Sequence, residues 1–255
     1  MGNTYNLDLL RMSERSWRGN SGLRAVYYVY FRRMLEMAAP GASLELGSGI
    51  GVMKEIIPGL RTSDIQVTPY VDFAASAYEI EQTGGIWATI YAMDMLHHLR
   101  EPLRFLRIAS CALKPGGRVI LLEPAATFGG RCFYRLFHHE PIQPQRLHAP
   151  YVFPADDAQG AFANMGMGWA LFQRDRKALS SSLASMNLKV VHCEYLGGIS
   201  YSLTGGFSRR ALASESVIRF VIRCESWLPS WWWRIFGLRM LVVLEKIGEP
   251  SAHAS

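Results

Sequence analysis

The sequence predicts an α/β protein with a mostly parallel sheet. Apolar runs that suit buried strands stand at 43–46 and 87–93. A glycine-rich turn follows the first run, and an aspartate and two histidines follow the second. Strands buried on both faces form continuous apolar runs, and open α/β sheets bind ligands beyond the carboxyl ends of their strands. With 255 residues, of which 49% are hydrophobic, the chain can bury one sizeable core.

Charge and cysteine content exclude several classes of protein. The formal net charge of +6 comes from scattered arginines without a long basic run, so we expect no nucleic-acid partner. The four cysteines lie far apart without a CxxC pair and predict neither a zinc knuckle nor a disulfide framework. The N-terminal sequence MGNTYNLDLLRMSER is too charged for a signal peptide. We therefore expect a cytoplasmic protein.

The first forty residues predict a helical leader. Residues 22–38 have helical character, and Pro40 and Gly41 end that stretch before the first strand. Aromatic side chains occur on more than one face of this helix, and we expect them to form ordinary core rather than a cofactor contact: Tyr27, Tyr28, Tyr30 and Phe31.

The turn at 44–51, LELGSGIG, is the strongest sign of a ligand site. Gly47, Gly49 and Gly51 allow positive φ and let a ligand approach the backbone, and a short helix is expected at 52–57. Loops that bind dinucleotides follow a GxGxxG pattern and receive a pyrophosphate. Here Glu45 precedes a GxGxG pattern, and its carboxylate would repel a pyrophosphate but suit a cationic ligand.

This ExGxGxG pattern resembles the first motif of the class I S-adenosylmethionine-dependent methyltransferases. The resemblance continues from about residue 42 to 124, through LHH at 96–98 and KPGG at 114–117, whose last glycines would turn into a fifth strand at 118–123. It implies a Rossmann-like, seven-stranded, mostly parallel sheet with helices on both faces and an insertion after strand 5. It also implies S-adenosylmethionine as the cofactor.

The resemblance assigns roles to acids after the second and third strands. Asp64, at the end of a strand at 60–65, would accept hydrogen bonds from the ribose hydroxyls, with Asp72 as the alternative. Ser76 stands where the family commonly has an aspartate for the adenine amino group, so recognition would depend more on the backbone of Ala77. The implied cofactor residues are Glu45, Gly47, Ser48, Gly49, Gly51, Asp64, Ser76, Ala77 and Asp94.

Candidate catalytic residues lie at the end of the strand at 87–93 and in the insertion. His98 is one candidate base, with a structural histidine at the strand end as the alternative. FHHEP at 137–141 supplies His138, His139 and Glu140, as a base with its orienting carboxylate, a metal pair or a solvated loop. A single HHE is poor evidence for metal, so no metal is expected. Similar HHEP segments occur in bacterial methyltransferases of type 11, some encoded with polysaccharide enzymes.

The C-terminal part predicts strands at 188–195 and 240–246, joined through a flexible glycine-rich connection at 197–208. The Trp-rich segment, WLPSWWWRIF at 227–236, contains four of the seven tryptophans. It suits a membrane interface, with neighbouring arginines on anionic headgroups: Arg223, Arg234 and Arg239. The alternative is core or a homodimer surface.

The expected organisation is a leader at 1–40, an S-adenosylmethionine-binding core at 41–124, an insertion or substrate lid at 125–187, the C-terminal sheet with the Trp-rich segment at 188–248, and a tail at 249–255. The expected function is methyl transfer, by O-methylation, to a small-molecule or lipid-linked glycan acceptor in bacterial secondary or polysaccharide metabolism. A noncatalytic scaffold that retains the pocket, and a nicotinamide-dependent oxidoreductase, are the alternatives. Peripheral contact with the inner membrane face is an additional expectation.

Overall fold

Seven strands form one sheet in the order β3-β2-β1-β4-β5-β7-β6. The computed structural model describes residues 7–154 and 162–248, so the predicted tail at 249–255 lies outside the described residues. The strands are β1 (Ser43–Leu46), β2 (Arg61–Asp64), β3 (Phe73–Ala74), β4 (Trp87–Met93), β5 (Leu113–Pro124), β6 (Leu188–Leu196) and β7 (Arg239–Lys246). Strand β7 runs antiparallel to β5 and β6, and the β1 to β5 pairs are parallel. The predicted mostly parallel, Rossmann-like sheet is confirmed.

Helices cover both faces of this sheet, as predicted. They are α1 (Leu7–Gly19), α2 (Ser21–Glu36), α3 (Pro102–Ala112), α4 (Phe128–Phe137), α5 (Met167–Trp169), α6 (Arg176–Ala184), α7 (Ile199–Thr204), α8 (Glu215–Glu225) and α9 (Ser230–Phe236). A π-helical turn, Ala170–Arg174, continues α5. The predicted insertion after strand 5 is present and begins with α4.

The central strands alternate between two cores. Along β5, Val119 and Leu121 enter the core beneath α3 and α6, whereas Ile120 and Leu122 enter the core beneath α1, α2 and α8. Side chains of a strand alternate between faces, so a sheet covered on both sides must be apolar at every position. This explains the unbroken apolar runs in the sequence.

The aromatic residues of α2 belong to the second of these cores. Tyr27, Tyr30 and Phe31 are buried, and Trp17 of α1 packs edge-on against Tyr27 with ring centroids 5.7 Å apart. The expectation that this cluster is core is therefore confirmed for these three residues, whereas Tyr28 is half-buried and donates its hydroxyl to Glu55.

Three local predictions are wrong. The stretch after the glycine turn forms only a 3₁₀ turn, Val52–Glu55, in place of a helix at 52–57. Strand β5 begins at Leu113, before the KPGG turn, because Leu113 already pairs with Trp87 of β4. The connection at 197–208 contains α7, whose Ser200 N–H and hydroxyl both bond the buried Glu225 of α8.

Within the described residues, no helix combines the length and the apolar character that crossing a bilayer requires.

Candidate active site

Backbone hydrogen bonds close the glycine turn that follows β1. Ser48 N–H donates to the Ser63 carbonyl at 2.9 Å, and Gly51 N–H donates to the Ser48 carbonyl at 2.8 Å. Gly51 has a φ of +66°, and a Cβ there would lie 2.4 Å from the Tyr70 carbonyl oxygen, so a side chain is excluded. At Gly49, with φ +54°, a Cβ would meet no described atom within 4 Å. The turn therefore leaves open space beside Gly49.

Glu45 lies in β1 with a buried side chain. Its backbone carbonyl accepts the hydroxyls of Ser48 and Ser63 at 3.2 and 3.0 Å. Its carboxyl Oε2 is buried and has no hydrogen-bond partner among the described residues. Burial raises the pKa of Glu45 to about 8, against the opposing effect of the Ser48 hydroxyl and with a further rise from the Asp64 carboxylate. The carboxyl is thus short of a cationic partner.

Asp64, at the end of β2, lies against the glycine turn. Its Oδ2 accepts the Gly49 N–H at 2.8 Å and its Oδ1 accepts the Ile65 N–H at 2.7 Å. A carboxylate can accept about four hydrogen bonds. The alternative acid, Asp72, is held away by Lys54 at 2.7 Å and by the Thr62 N–H at 2.8 Å. The structure therefore places Asp64, rather than Asp72, beside the turn.

Ser76 and Ala77 form a turn beyond β3. The Ser76 hydroxyl oxygen accepts the Tyr78 N–H at 3.2 Å, and its carbonyl accepts the Glu79 N–H at 3.0 Å. In the described part of the chain the Ala77 N–H has no hydrogen-bond acceptor. The backbone of Ala77 and the hydroxyl proton of Ser76 are therefore the groups that could reach an adenine ring.

Asp94 follows β4 with a positive φ of 52° and forms an ion pair with Arg239. Arg239 lies in β7, is only 4% exposed, and has its guanidinium 5.3 Å from the centroid of the Tyr201 ring. Burial lowers the pKa of Arg239, but the Asp94 charge and the surrounding tyrosines together outweigh it and keep that pKa well above its ordinary value. The expectation that Arg239 contacts lipid headgroups is wrong, because the strand buries it.

The segment after Asp94 connects the glycine turn to the end of β5. A Cβ on Gly47 would lie 2.9 Å from Met95 Cγ, so Met95 covers this glycine. The N–H groups of Met95 and Leu96 donate to Glu123 Oε1 at 3.0 and 2.8 Å. Glu123 is buried near the carboxyl end of β5 and fixes the path of the chain beyond β4.

His97 lies between two carboxylates. Its Nδ1 is 2.7 Å from Glu123 Oε2, and its Nε2 is 3.4 Å from Glu140 Oε2. Burial alone would lower the pKa of His97, but Glu123 and Glu140 raise it to about 10. Burial likewise would raise the pKa of Glu140, and the histidines around it lower it to about 2. His97 is therefore a cation at neutral pH and a poor base.

His98 differs from His97 in exposure and in charge. Its side chain is 41% exposed, its Nδ1 is 3.3 Å from the Phe162 carbonyl oxygen, and its Nε2 is 3.7 Å from Glu140 Oε1. Burial and the neighbouring charge of His97 lower the pKa of His98. At neutral pH His98 is therefore the uncharged histidine of the pair.

Asn164 holds the HHEP segment against the end of β4. Its side-chain oxygen accepts the Gln143 N–H at 3.0 Å, and its own N–H donates to the His97 carbonyl at 2.9 Å. The Met165 N–H donates to the Pro141 carbonyl at 2.9 Å. These bonds join the insertion to the 3₁₀ turn Leu96–His98, and they bring Glu140 beside His97 and His98.

The structure gives His138 and His139 outer positions. The Glu140 N–H donates to His138 Nδ1 at 3.2 Å, and the rings of His138 and His139 stack with centroids 4.8 Å apart. The His139 side chain is 85% exposed, with Nε2 3.8 Å from Glu140 Oε1. Glu140 is thus the residue of the HHE triplet that reaches His97 and His98 in the 3₁₀ turn after β4.

Glu123 and Asn164 are site residues that no sequence pattern singled out. Glu123 stands before Pro124 at the end of β5, as Asp64 stands at the end of β2, and an acid at the carboxyl end of a buried strand was a usable signal. Asn164 lies in a stretch without any recognisable motif. Its role depends on contacts across the insertion that no local pattern predicts.

Comparison with known proteins identifies the family. A methyltransferase-domain family matches residues 23–192, which is about two thirds of the chain. No curated protein matches in sequence. Among solved structures, a methyltransferase from Haloferax volcanii in complex with the Trm112 methyltransferase activator has a TM-score of 0.50 at 12% identity, covering 94% of this chain and 96% of that chain.

Two further similar structures have lower TM-scores. One is an S-adenosylmethionine-dependent methyltransferase from Archaeoglobus fulgidus, with a TM-score of 0.48 at 14% identity over 88% of this chain and 94% of that one. The other is the N-methyltransferase NodS from Bradyrhizobium japonicum in complex with S-adenosyl-L-homocysteine, with a TM-score of 0.45 at 14% identity over 94% of this chain and 99% of that one. The sheet order, the glycine turn and the match over residues 23–192 lead to one conclusion: the chain belongs to the methyltransferase-domain family.

Proposed function

We propose that this protein transfers a methyl group from S-adenosylmethionine to a hydroxyl of a small-molecule or lipid-linked glycan acceptor. The single observation that carries the cofactor assignment is the unpartnered carboxyl of Glu45 beside the glycine turn. A buried polar group left without a hydrogen bond costs about 1–3 kcal/mol. A cationic ligand would remove that cost, and S-adenosylmethionine carries an ammonium and a sulfonium.

The residues around Glu45 suit the rest of this cofactor. The open space beside Gly49 admits a ligand to the backbone, and the Asp64 carboxylate beside the turn suits the hydroxyls of a ribose, because a carboxylate accepts hydrogen bonds. The Ala77 N–H is available to an adenine ring. A nicotinamide dinucleotide fits less well, because its pyrophosphate would lie near the Asp64 carboxylate and would not supply the cationic partner that Glu45 lacks.

Alignment of the methyl group with the acceptor hydroxyl would provide most of the rate enhancement. The bound cofactor supplies a methyl group on a sulfonium, whose charge is lost on transfer. Holding two reacting groups about 3–3.5 Å apart can contribute on the order of 7–11 kcal/mol, and a positioned proton acceptor adds a factor of about 10² to 10⁴. The protein therefore needs to position the acceptor hydroxyl and help it lose its proton.

We propose that His98 takes the proton from the hydroxyl of the methyl acceptor. His97 and Glu140 would support it. His98 is exposed, its lowered pKa keeps it uncharged, and its Nε2 lone pair lies on the side of Glu140. His97 is protonated between two carboxylates and would orient Glu140 rather than accept a proton. His138 and His139 are proposed to border the acceptor from the insertion.

Calorimetry with S-adenosylhomocysteine and with NADH tests the cofactor assignment. We expect binding of the first and none of the second. Binding of NADH alone would reverse the assignment, and binding of neither would leave the noncatalytic scaffold as the function.

Methyl transfer tests the acceptor side. Tritium transfer from labelled S-adenosylmethionine to a panel of hydroxylated small molecules and glycans would identify the acceptor. We expect His98→Ala to lower turnover with that acceptor by about 10² to 10⁴ and to leave S-adenosylhomocysteine affinity unchanged. His148→Ala, which removes an exposed histidine elsewhere, is the matched control. Near-normal turnover in His98→Ala would refute the assignment.

We also propose that the Trp-rich segment contacts a membrane surface that carries the acceptor. Trp227 is 84% exposed and Trp231 is 58% exposed, and α9 packs beside α4, whose Phe128 and Leu136 are also exposed. Exposed Arg135 and Arg234 border these apolar side chains and suit anionic headgroups.

Co-sedimentation with anionic liposomes tests this contact. Wild-type protein should sediment with the liposomes, and the Trp227→Ala, Trp231→Ala double variant should not. Ile86→Ala, at an equally exposed residue before β4, should behave like wild type. Retention of the double variant on the liposomes, or a wild-type protein that does not sediment with them, would refute the proposal.

A further inference from the structure

Three side chains converge at the end of β4 in the arrangement of metal ligands. One ligand atom from each of His97, His98 and Glu140 lies within 4.8 Å of the others. Two of them come from one 3₁₀ turn and the third from the insertion, so the group exists only in the folded chain.

The histidine rings are oriented by oxygen acceptors on their far sides. His97 Nδ1 bonds the Glu123 carboxylate at 2.7 Å, and His98 Nδ1 is 3.3 Å from the Phe162 carbonyl oxygen. Each acceptor favours a proton on Nδ1 and directs Nε2 toward Glu140. Metal-binding histidines almost always donate their other N–H to a carboxylate, a carbonyl or water.

The distances at Glu140 suit a shared ion better than direct hydrogen bonds. His97 Nε2 is 3.4 Å from one carboxylate oxygen, and His98 Nε2 is 3.7 Å from the other. Charge-assisted hydrogen bonds span about 2.7–2.9 Å. Ligand atoms on a tetrahedral zinc ion, bound at about 2.1 Å, are about 3.4 Å apart.

We propose that His97 Nε2, His98 Nε2 and Glu140 bind a divalent transition-metal ion, with Zn²⁺ as the best match. His97, which is protonated in the metal-free protein, would release its Nε2 proton to solvent when the ion binds. Two imidazoles and one carboxylate suit Zn²⁺ rather than Mg²⁺ or Ca²⁺, which prefer oxygen ligands. The exposed side at His98 leaves a fourth coordination position open.

The open coordination position gives the metal ion a role in the proposed methyl transfer. This role rests on the proposed function. An acceptor hydroxyl bound there would lose its proton more easily, because a bound Zn²⁺ lowers the pKa of a coordinated oxygen acid. The His98 lone pair would then act by binding the ion, and the hydroxyl proton would leave to solvent. The metal site itself does not depend on the identity of the acceptor.

Metal titration of tag-free, chelator-treated protein tests the site. We expect one equivalent of Zn²⁺ by calorimetry, and one equivalent of Co²⁺ with visible absorption bands of a four- or five-coordinate site. His98→Ala and Glu140→Gln should each weaken Zn²⁺ binding more than the roughly 10- to 100-fold that loss of an outer partner costs. His148→Ala should bind Zn²⁺ like wild type.

Two results would overturn the metal site. One is a wild-type protein that binds neither ion. The other is unchanged Zn²⁺ affinity in both His98→Ala and Glu140→Gln, with thermal melting showing that both variants are folded. S-adenosylhomocysteine affinity, measured on the metal-free protein, keeps the two proposals apart, because it should be normal whether or not the metal binds.

Discussion

Two carboxyls of the candidate site, Glu45 in β1 and Glu140 in the insertion, have opposite electrostatic states. Burial raises the pKa of Glu45 to about 8, and its Oε2 has no partner among the described residues. The pKa of Glu140 falls to about 2, because the histidines around it outweigh the effect of burial. The first carboxyl lacks a positive charge, and the second already has one.

This difference divides the proposed site into two halves, the glycine turn with Glu45 and the group around His97 with Glu140. The glycine turn depends on a cation from outside, so it is built as a binding site for a charged ligand. The group around His97 has a cation of its own in the metal-free protein, the His97 imidazolium, which suits a surface that positions an acceptor. Met95 joins the halves, because it covers Gly47 and donates its N–H to Glu123.

The largest effect is expected from a side chain placed in the open space of the first half. Gly49→Arg should reduce S-adenosylhomocysteine affinity by more than about 1,000-fold, measured by calorimetry, because the side chain would occupy the ligand's place. Gly59→Arg is the matched control, since Gly59 has a φ of +71° and an equally open surrounding but lies outside the site. Equal affinity in both variants would place the ligand elsewhere.

Breaking the ion pair between Asp94 and Arg239 should have the next largest effect. Asp94→Asn leaves the buried Arg239 guanidinium without its partner. We expect the free energy of unfolding in urea to fall by about 3 kcal/mol, near the low end for a broken buried pair, because Asp94 is itself one third exposed. Glu215→Gln, which breaks an exposed helix pair with Arg219, should cost less than about 1 kcal/mol. If Asp94→Asn lowers the free energy of unfolding as little as Glu215→Gln does, the pair between Asp94 and Arg239 does not stabilise the ends of β4 and β7.

Isosteric substitutions of Glu45 and Glu140 should have different effects on ligand affinity and on stability. Glu45→Gln should weaken S-adenosylhomocysteine binding roughly 10- to 100-fold, the loss of one charge-assisted hydrogen bond, and leave the stability of the free protein unchanged. Glu140→Gln should do the reverse. It should lower the free energy of unfolding by about 1–3 kcal/mol, because His97 loses one partner, and leave cofactor affinity unchanged. Both quantities can be measured by calorimetry and urea unfolding, and the same response in both variants would contradict the division.

The sequence predicted the first half far better than the second, for a physical reason. Glu45 and its glycines are contiguous, and one strand followed by one turn fixes their geometry. The group around His97 needs Glu123 and Glu140, which lie 26 and 43 residues further along the chain. Their meeting depends on strand order and on the Asn164 contacts. The HHEP motif was recognised, but its partner at the end of β4 could come only from the fold.

Arg239 and α7 also show that a local sequence pattern does not predict contacts with residues that are distant in sequence. An arginine beside the Trp-rich segment suggested a surface charge, yet β7 carries it into the interior, where Asp94 pairs with it. The glycines at both ends of 197–208 suggested a flexible connection, but Glu225 of α8 supplies hydrogen bonds that fix a helix there. In both cases the deciding partner is distant in sequence.

Proton release on cofactor binding is the most direct test of the central claim, that Glu45 holds a cationic ligand. With a pKa of about 8, the free carboxyl is mostly protonated at pH 7, and an ammonium beside it would lower that pKa. Calorimetry with S-adenosylhomocysteine, repeated in buffers of different ionisation enthalpy, should therefore show release of most of one proton at pH 7. Binding should tighten as the pH rises toward 8, and Glu45→Gln should release none. Binding without proton release in wild type, or equal release in Glu45→Gln, would contradict the claim.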